Sequence, residues 1–166
     1  CIPSKALIRV GKVFAEQTRA ASLGIKKMDI AFEFSEVMQR IQTVIQKVEP
    51  HDSVERYTKL GVDCFSGSGK IRSPYEVEID GKALTTKNIV IAAGASPVVP
   101  PIPGLDQLKY LTSDNIWDLR VQPKRLLVIG GGAIGCELAQ CFGRMGTKVI
   151  QLEKGNRILP REDEEI

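Results

Sequence analysis

The sequence predicts an α/β protein built on a doubly wound parallel sheet, and three observations predict it. Leu126-Leu127-Val128-Ile129 is an apolar run with strand character that meets Gly130, Gly131 and Gly132. Gly135 follows where a helical pattern begins. A second strand, Lys148-Val149-Ile150-Gln151-Leu152, ends on Glu153, 18 residues past Gly135. A G-x-G-x-x-G turn alone says little, but strand, turn, helix, strand and terminal acid are the surroundings a nucleotide-binding turn requires.

Composition sets the bounds. The 166 residues are 43% hydrophobic and 26% charged, which suits an ordinary soluble globular chain of one or two domains. The net charge of +3 arises from 23 basic and 20 acidic residues mixed along the chain, so no nucleic-acid surface is expected. No apolar run nears the roughly 18 to 20 residues that span a bilayer, and no charged-then-apolar leader opens the chain, so the expected location is the cytoplasm. The chain opens on Cys1 rather than Met and stops just after the second strand of a β-α-β unit. A sheet cut there leaves exposed edges, so the fold is expected to be incomplete at both ends.

Taken in order, Cys1-Ile2-Pro3-Ser4-Lys5 opens a segment whose Leu7, Ile8, Val10, Val13, Phe14, Ala21 and Leu23 suit one helical face, with Gly24 closing it. Cys1 then sits at a helix start, where unpaired amides and the dipole favour a thiolate. Residues 25 to 34 read as a connection. From Ser35, Val37, Met38, Ile41, Val44, Ile45 and Val48 recur at steps of three and four, as in an amphipathic helix. Pro50 interrupts it, and a further turn or two through Val54 and Tyr57 reaches Gly61. The single histidine, His51, has no ligand-type neighbours and reads as a solvated or capping residue.

The period then changes. Val62-Asp63-Cys64-Phe65 reads as a short strand, Gly67-Ser68-Gly69-Lys70 as a tight turn, and Tyr75–Ile79 as a half-buried strand, with Asp80-Gly81 a hairpin signal. Asn88-Ile89-Val90-Ile91-Ala92-Ala93-Gly94 is a continuous apolar run of the kind buried on both faces. Residues 95 to 104 carry four of the nine prolines and predict a stiff extended connection. A short helical segment through Ile116, Trp117 and Leu119 follows, with Ser113 or Asp114 as its cap. The boundary placed before Gln122-Pro123 gives two domains, 1–121 and 122–166. The helix of the closing unit carries Leu138, Ala139, Phe142 and Met145 and ends at Gly146.

The chemistry of the glycine turn is backbone chemistry. Gly130 allows the tight turn, Gly132 lets main chain approach a pyrophosphate, and Gly135 lets helix and strand pack closely, so that Ala133 and Ile134 open a helix facing the phosphates. An acid at Glu153 accepts from a free ribose 2′-hydroxyl and repels a 2′-phosphate, which favours NAD over NADP, although Arg157 could accommodate a phosphate. Cys136 and Cys141 repeat a C-x-x-x-x-C spacing, but five helical residues separate them by about 7.5 Å of rise, so small helix residues are expected there rather than a disulfide. No metal site is expected.

The string Cys1-Ile2-Pro3-Ser4-Lys5 resembles the second half of the redox-active disulfide motif of the flavoprotein disulfide reductases, class I pyridine-nucleotide disulfide oxidoreductases such as dihydrolipoamide dehydrogenase, mercuric reductase and glutathione reductase. The turn Gly130 to Glu137, the strand end Ala92-Ala93-Gly94-Ala95-Ser96-Pro97 and Thr112-Ser113-Asp114 resemble the same family in its order and spacing, across essentially the whole chain.

That resemblance implies a FAD/NAD(P)-binding Rossmann-like, three-layer fold. Residues 1–121 would be the later part of the FAD domain and 122–166 the first unit of the NAD(P) domain. It implies that Cys1 is the flavin-proximal cysteine of a pair whose partner lies upstream, and that Lys5 sits beside the flavin and pairs with Glu137. Gly69, Ala93 and Gly94 would approach FAD; Ala93 stands where the family often has Thr, so one hydroxyl is missing. Gly130, Gly132, Ala133, Ile134, Gly135 and Glu153 would hold the nicotinamide cofactor. The implied activity moves electrons between NAD(P)H, FAD and the cysteine pair in an intact homodimer, toward a disulfide, a dithiol or mercuric ion, and the 166 residues alone would not turn over. Two other readings stand beside it: a dinucleotide-binding module without thiol chemistry, and a non-catalytic remnant that serves interaction only.

Overall fold

The computed structural model describes residues 1–26 and 28–165. Lys27, in the expected connection, and Ile166, at the end of the expected second domain, lie outside the described residues. The architecture is α/β, in two compact units: Cys1–Lys47 with Pro101–Ile166, and Val48–Pro100.

The first unit holds both the thiol helix and the glycine turn. Helix α1 (Ile2–Arg19) starts with Cys1 as its N-cap and Pro3 in its first turn, where a missing N–H costs nothing. It tightens into a 3-10 turn, Ala20–Leu23, and stops at Gly24, whose φ of 82° is the left-handed conformation glycine adopts freely. Helix α2 (Phe34–Val48) turns Phe34, Met38 and Ile41 inward at the helical step read from the sequence. Strands β4 (Arg125–Ile129) and β5 (Lys148–Leu152) pair in parallel, with Leu127 opposite Ile150, and are joined by helix α4 (Ala133–Arg144). The pair forms because α4 covers one face of it. Leu126 and Val149 pack onto the core, while Leu127, Ile129, Ile150 and Leu152 on the other face stay about half exposed.

The core forms where α1 and α2 meet α4. Leu7, Met38, Ile41, Cys141 and Phe142 are fully buried, and each large apolar side chain so removed from water contributes about 1.5–3 kcal/mol before entropy is counted. Gly11 of α1 admits the close approach: a Cβ there would lie 3.2 Å from Cys141 Sγ. Cys141 is therefore a small packing residue, and none of the cysteines is in a disulfide. The indole N–H of Trp117 donates to the Ser113 carbonyl at 2.6 Å, and Gln42 donates to the Trp117 carbonyl at 3.0 Å, so the polar groups inside the core are paired. The 3-10 turn Ile116–Asp118 has Asn115 as its N-cap, without a side-chain cap bond, rather than Ser113 or Asp114. The Asn115 amide oxygen instead accepts from the Thr112 N–H at 2.7 Å, rigidifying the loop ahead of it.

The second unit is local in character. After the 3-10 turn Glu49–Asp52, Ser53 Oγ accepts from Arg56 N and opens the short helix α3 (Val54–Lys59). Strands β1 (Gly69–Ser73), β2 (Glu76–Ile79) and β3 (Lys82–Thr85) form an antiparallel meander. Asp80 and Gly81 both take positive φ, 46° and 86°, the conformation an Asp-Gly hairpin favours.

Three expectations fail in this unit. The predicted strand at Val62–Phe65 is not extended pairing but loop, and the residues read as a turn, Gly69 and Lys70, start β1. Arg72, where the pairing of β1 with β2 is irregular, bonds Glu78 in a bidentate pair at 2.8 and 3.1 Å. The apolar run Asn88–Gly94 forms no strand, and Val90 and Ile91 are exposed. A doubly buried strand needs neighbours on both edges and both faces, and the meander closes at Thr85 without offering any.

Candidate functional site

Four of the predicted site features lie in the first unit. Cys1 is exposed and free at the head of α1, and its thiol makes no capping bond to the helix. One turn on, Lys5 Nζ lies 3.3 Å from Glu137 Oε1, an ion pair that ties α1 to the second turn of α4 across 132 positions of sequence. Both side chains are substantially exposed, 66% and 38%, so the pair contributes at most about 1 kcal/mol to stability. What it fixes is position: opposite charges are held one helical turn from the thiol.

The glycine turn has the geometry its spacing calls for. Gly130 takes φ 112°, outside the range of other residues. Gly132 is the N-cap of α4. At Gly135 a Cβ would collide with the Gly130 carbonyl, so helix and turn approach as closely as a glycine allows. The first-turn amides of α4, including those of Ala133, Ile134 and Gly135, have no carbonyl one turn back, which is the donor set that receives a phosphate. These residues fit a dinucleotide pyrophosphate.

Glu153 stands at the end of β5, where the sequence places the ribose acid. Its carboxylate accepts from Gly155 N at 2.8 Å and from Gly131 N at 2.5 Å. These backbone bonds hold its pKa below the ordinary 4.5, so it is an anion at neutral pH. Arg157 points elsewhere, donating to the backbone carbonyls of Glu162 and Asp163.

The remaining predicted residues, Gly69, Ala93 and Gly94, belong to the second unit. Gly94 has φ 69°, which favours glycine, whereas Gly69 begins a strand with open space about it. Ala93 and Gly94 are exposed on the unpaired segment.

Two residues at the turn escaped the sequence reading. Gln151 Nε2 donates to the Gly130 carbonyl at 3.0 Å, and the Cys136 thiol donates to the Gly131 carbonyl at 3.3 Å, so both brace the turn from below. Gln151 carried a signal, a polar residue at an otherwise apolar strand position. Cys136 read only as a small residue. Among the described residues there is no helix long and apolar enough to cross a membrane and no cluster of His, Cys, Asp or Glu suited to a metal ion.

Comparison with known proteins agrees with this arrangement. A family model described as pyridine nucleotide-disulphide oxidoreductase matches residues 1–166. The chain is 34% identical to a dihydrolipoyl dehydrogenase from Acholeplasma laidlawii, over the whole chain and 51% of that protein. It is 30% identical to a mercuric reductase from Staphylococcus aureus, over the whole chain and 30% of that protein. A solved structure, the Cu(II) complex of the HOCl-induced flavoprotein disulfide reductase RclA from Escherichia coli, superposes on the whole chain with a TM-score of 0.74 at 27% identity, covering 34% of its own length. The chain thus spans about a quarter to a half of the length of the proteins it resembles.

Proposed function

The chain belongs to the pyridine nucleotide-disulphide oxidoreductase family, and from that premise we propose that it serves a flavoprotein that moves electrons between NAD(P)H, FAD and a redox-active cysteine pair that includes Cys1. The substrate is a disulfide, a dithiol or mercuric ion. The observation that carries this reading is the contact of Lys5 with Glu137 at 3.3 Å. It couples the helix that presents the thiol to the helix that opens the nucleotide turn, which are the two ends of such a route.

Each residue then has a task. Gly130, Gly132, Ala133, Ile134 and Gly135 receive the pyrophosphate of the nicotinamide cofactor through backbone. Glu153, held as an anion, accepts from a ribose hydroxyl and repels a 2′-phosphate, which selects NAD over NADP. To meet a ribose it exchanges its bond with Gly131 N for one with the sugar. Cys1 presents sulfur at a helix start, where negative charge is favoured. Lys5 and Glu137 set fixed opposite charges beside it. Gly69, Ala93 and Gly94 lie along FAD. When bound, the flavin supplies the two-electron exchange between nicotinamide and thiol pair. We place residues 1–121 in a FAD domain and 122–166 in a NAD(P) domain of a cytoplasmic homodimer.

The protein carrying this sequence is expected to purify with flavin absorbance and to reduce a disulfide at the expense of NADH, and Cys1→Ser is expected to abolish that turnover. Binding of NADH without flavin or thiol chemistry would favour a plain dinucleotide-binding module instead.

A further inference from the structure

The peptide between Gly130 and Gly131 is held at both of its polar ends by side chains from β5 and the residue just past it. Its carbonyl accepts from Gln151 Nε2 at 3.0 Å, and its N–H donates to Glu153 Oε2 at 2.5 Å. Gln151 lies half-buried on the face of β5 that also carries Val149. A Cβ added at Gly135 would sit 3.2 Å from Gln151 Nε2, so this amide fills the space between the turn and the start of α4. The same nitrogen donates to Cys136 Sγ at 3.5 Å, and that thiol donates to the Gly131 carbonyl at 3.3 Å. Both hydrogens of the Gln151 amide are thus committed to the turn.

The two anchors are not equivalent. A peptide with glycine on each side has no Cβ to resist its reversal, so its orientation depends on what its carbonyl and N–H bond. Reversal would set the carbonyl where the N–H stands, against the Glu153 carboxylate and the sugar it is to hold. Glu153 Oε1 accepts from Gly155 N at 2.8 Å, so the carboxylate stays anchored while Oε2 changes partner. Once Oε2 takes a ribose hydroxyl, the Gly131 N–H loses its bond, and Gln151 is the side chain left holding the peptide.

We propose that Gln151 is a positioning residue of the nucleotide turn: it keeps the Gly130–Gly131 peptide in place while Glu153 exchanges the Gly131 N–H for a ribose. This rests on the reading of Gly130 to Glu153 as a nicotinamide-nucleotide site and deepens it, by giving the exchange at Glu153 a second residue.

ADP-ribose carries the pyrophosphate and the adenosine ribose without the nicotinamide, so it probes the turn without turnover. Its affinity is measured by calorimetry for the protein carrying this sequence and for Gln151→Leu and Gln151→Glu. Leucine removes both donors and leaves the Gly130 carbonyl unpaired, and affinity is expected to fall about tenfold while unfolding stays cooperative. Glutamic acid keeps the shape and donates only while protonated. Affinity in Gln151→Glu is expected to lie within about twofold of the unaltered protein at about pH 5.5, and to fall to the leucine level by about pH 8 as the carboxylate ionises against the carbonyl. Glu153 and Cys136, which also bond the turn, are common to both proteins, so the difference between the two profiles reads position 151.

An affinity that Gln151→Leu does not move, or a Gln151→Glu profile parallel to that of the unaltered protein, overturns the proposal. Should Gln151→Leu fail to fold, the Gln151→Glu profile decides. Absence of ADP-ribose binding in the unaltered protein defeats the nucleotide reading and this inference with it, whereas binding insensitive to position 151 defeats this inference alone.

Discussion

The two units of this chain answer the same sequence grammar differently. In the first, apolar periodicity becomes burial: α1, α2 and α4 share a core around Leu7, Met38, Ile41 and Phe142. In the second, no described residue is fully buried, yet the Ser53 cap and the Asp80-Gly81 turn are both in place. Caps and turns are satisfied by neighbours a few residues away, whereas a buried strand depends on partners far along the chain. The same apolar richness therefore yields core at Phe142 and an open segment at Ile91.

The sharpest way to break this contrast is a pair of truncations. Phe142→Ala is expected to cost about 3–5 kcal/mol in urea unfolding. Ile91→Ala is expected to stay within about 0.5 kcal/mol, as an exposed position does. Similar losses at both positions would mean that the Asn88–Gly94 run is packed after all.

Gly135→Ala tests the first unit at its closest approach. The added Cβ meets the Gly130 carbonyl, and overpacking of this kind costs about 1–3 kcal/mol. NADH affinity measured by fluorescence is expected to fall about tenfold or more, because the strain sits in the turn that faces the phosphates. An alanine at Gly81, in the second unit, is expected to leave NADH binding alone.

A double-mutant cycle on Lys5→Ala and Glu137→Ala is expected to give a coupling of about 0.2–1 kcal/mol in stability, as for an exposed pair. A smaller, pH-confined effect attaches to Glu153. Its folded pKa lies below 4.5, so the stabilisation is fully present above that value and is lost as pH falls through the lowered one. Glu153→Gln is expected to flatten the unfolding midpoint against pH in that acidic window and nowhere else.

How much was legible follows the same division. The helix step of α2, the end of α1 at Gly24 and the β-α-β unit around Gly130 were readable because periodicity and glycine chemistry are local. So was the role of Gly135 in close packing. The meeting of Lys5 with Glu137 was implied by family resemblance alone, since no spacing rule joins residues 132 positions apart. The misplaced strand at Val62–Phe65 shows the limit of β-propensity: the three-stranded sheet of this unit is β1-β2-β3, and residues 62–65 have no partner in it.

The most direct test of the central claim, that the Cys1 thiol and the nucleotide turn belong to one electron route, is an anaerobic NADH titration of the protein carrying this sequence. A long-wavelength charge-transfer band between the Cys1 thiolate and the flavin is expected, absent in Cys1→Ser and altered in Lys5→Ala. A protein without flavin absorbance, or a band that survives Cys1→Ser, would contradict it.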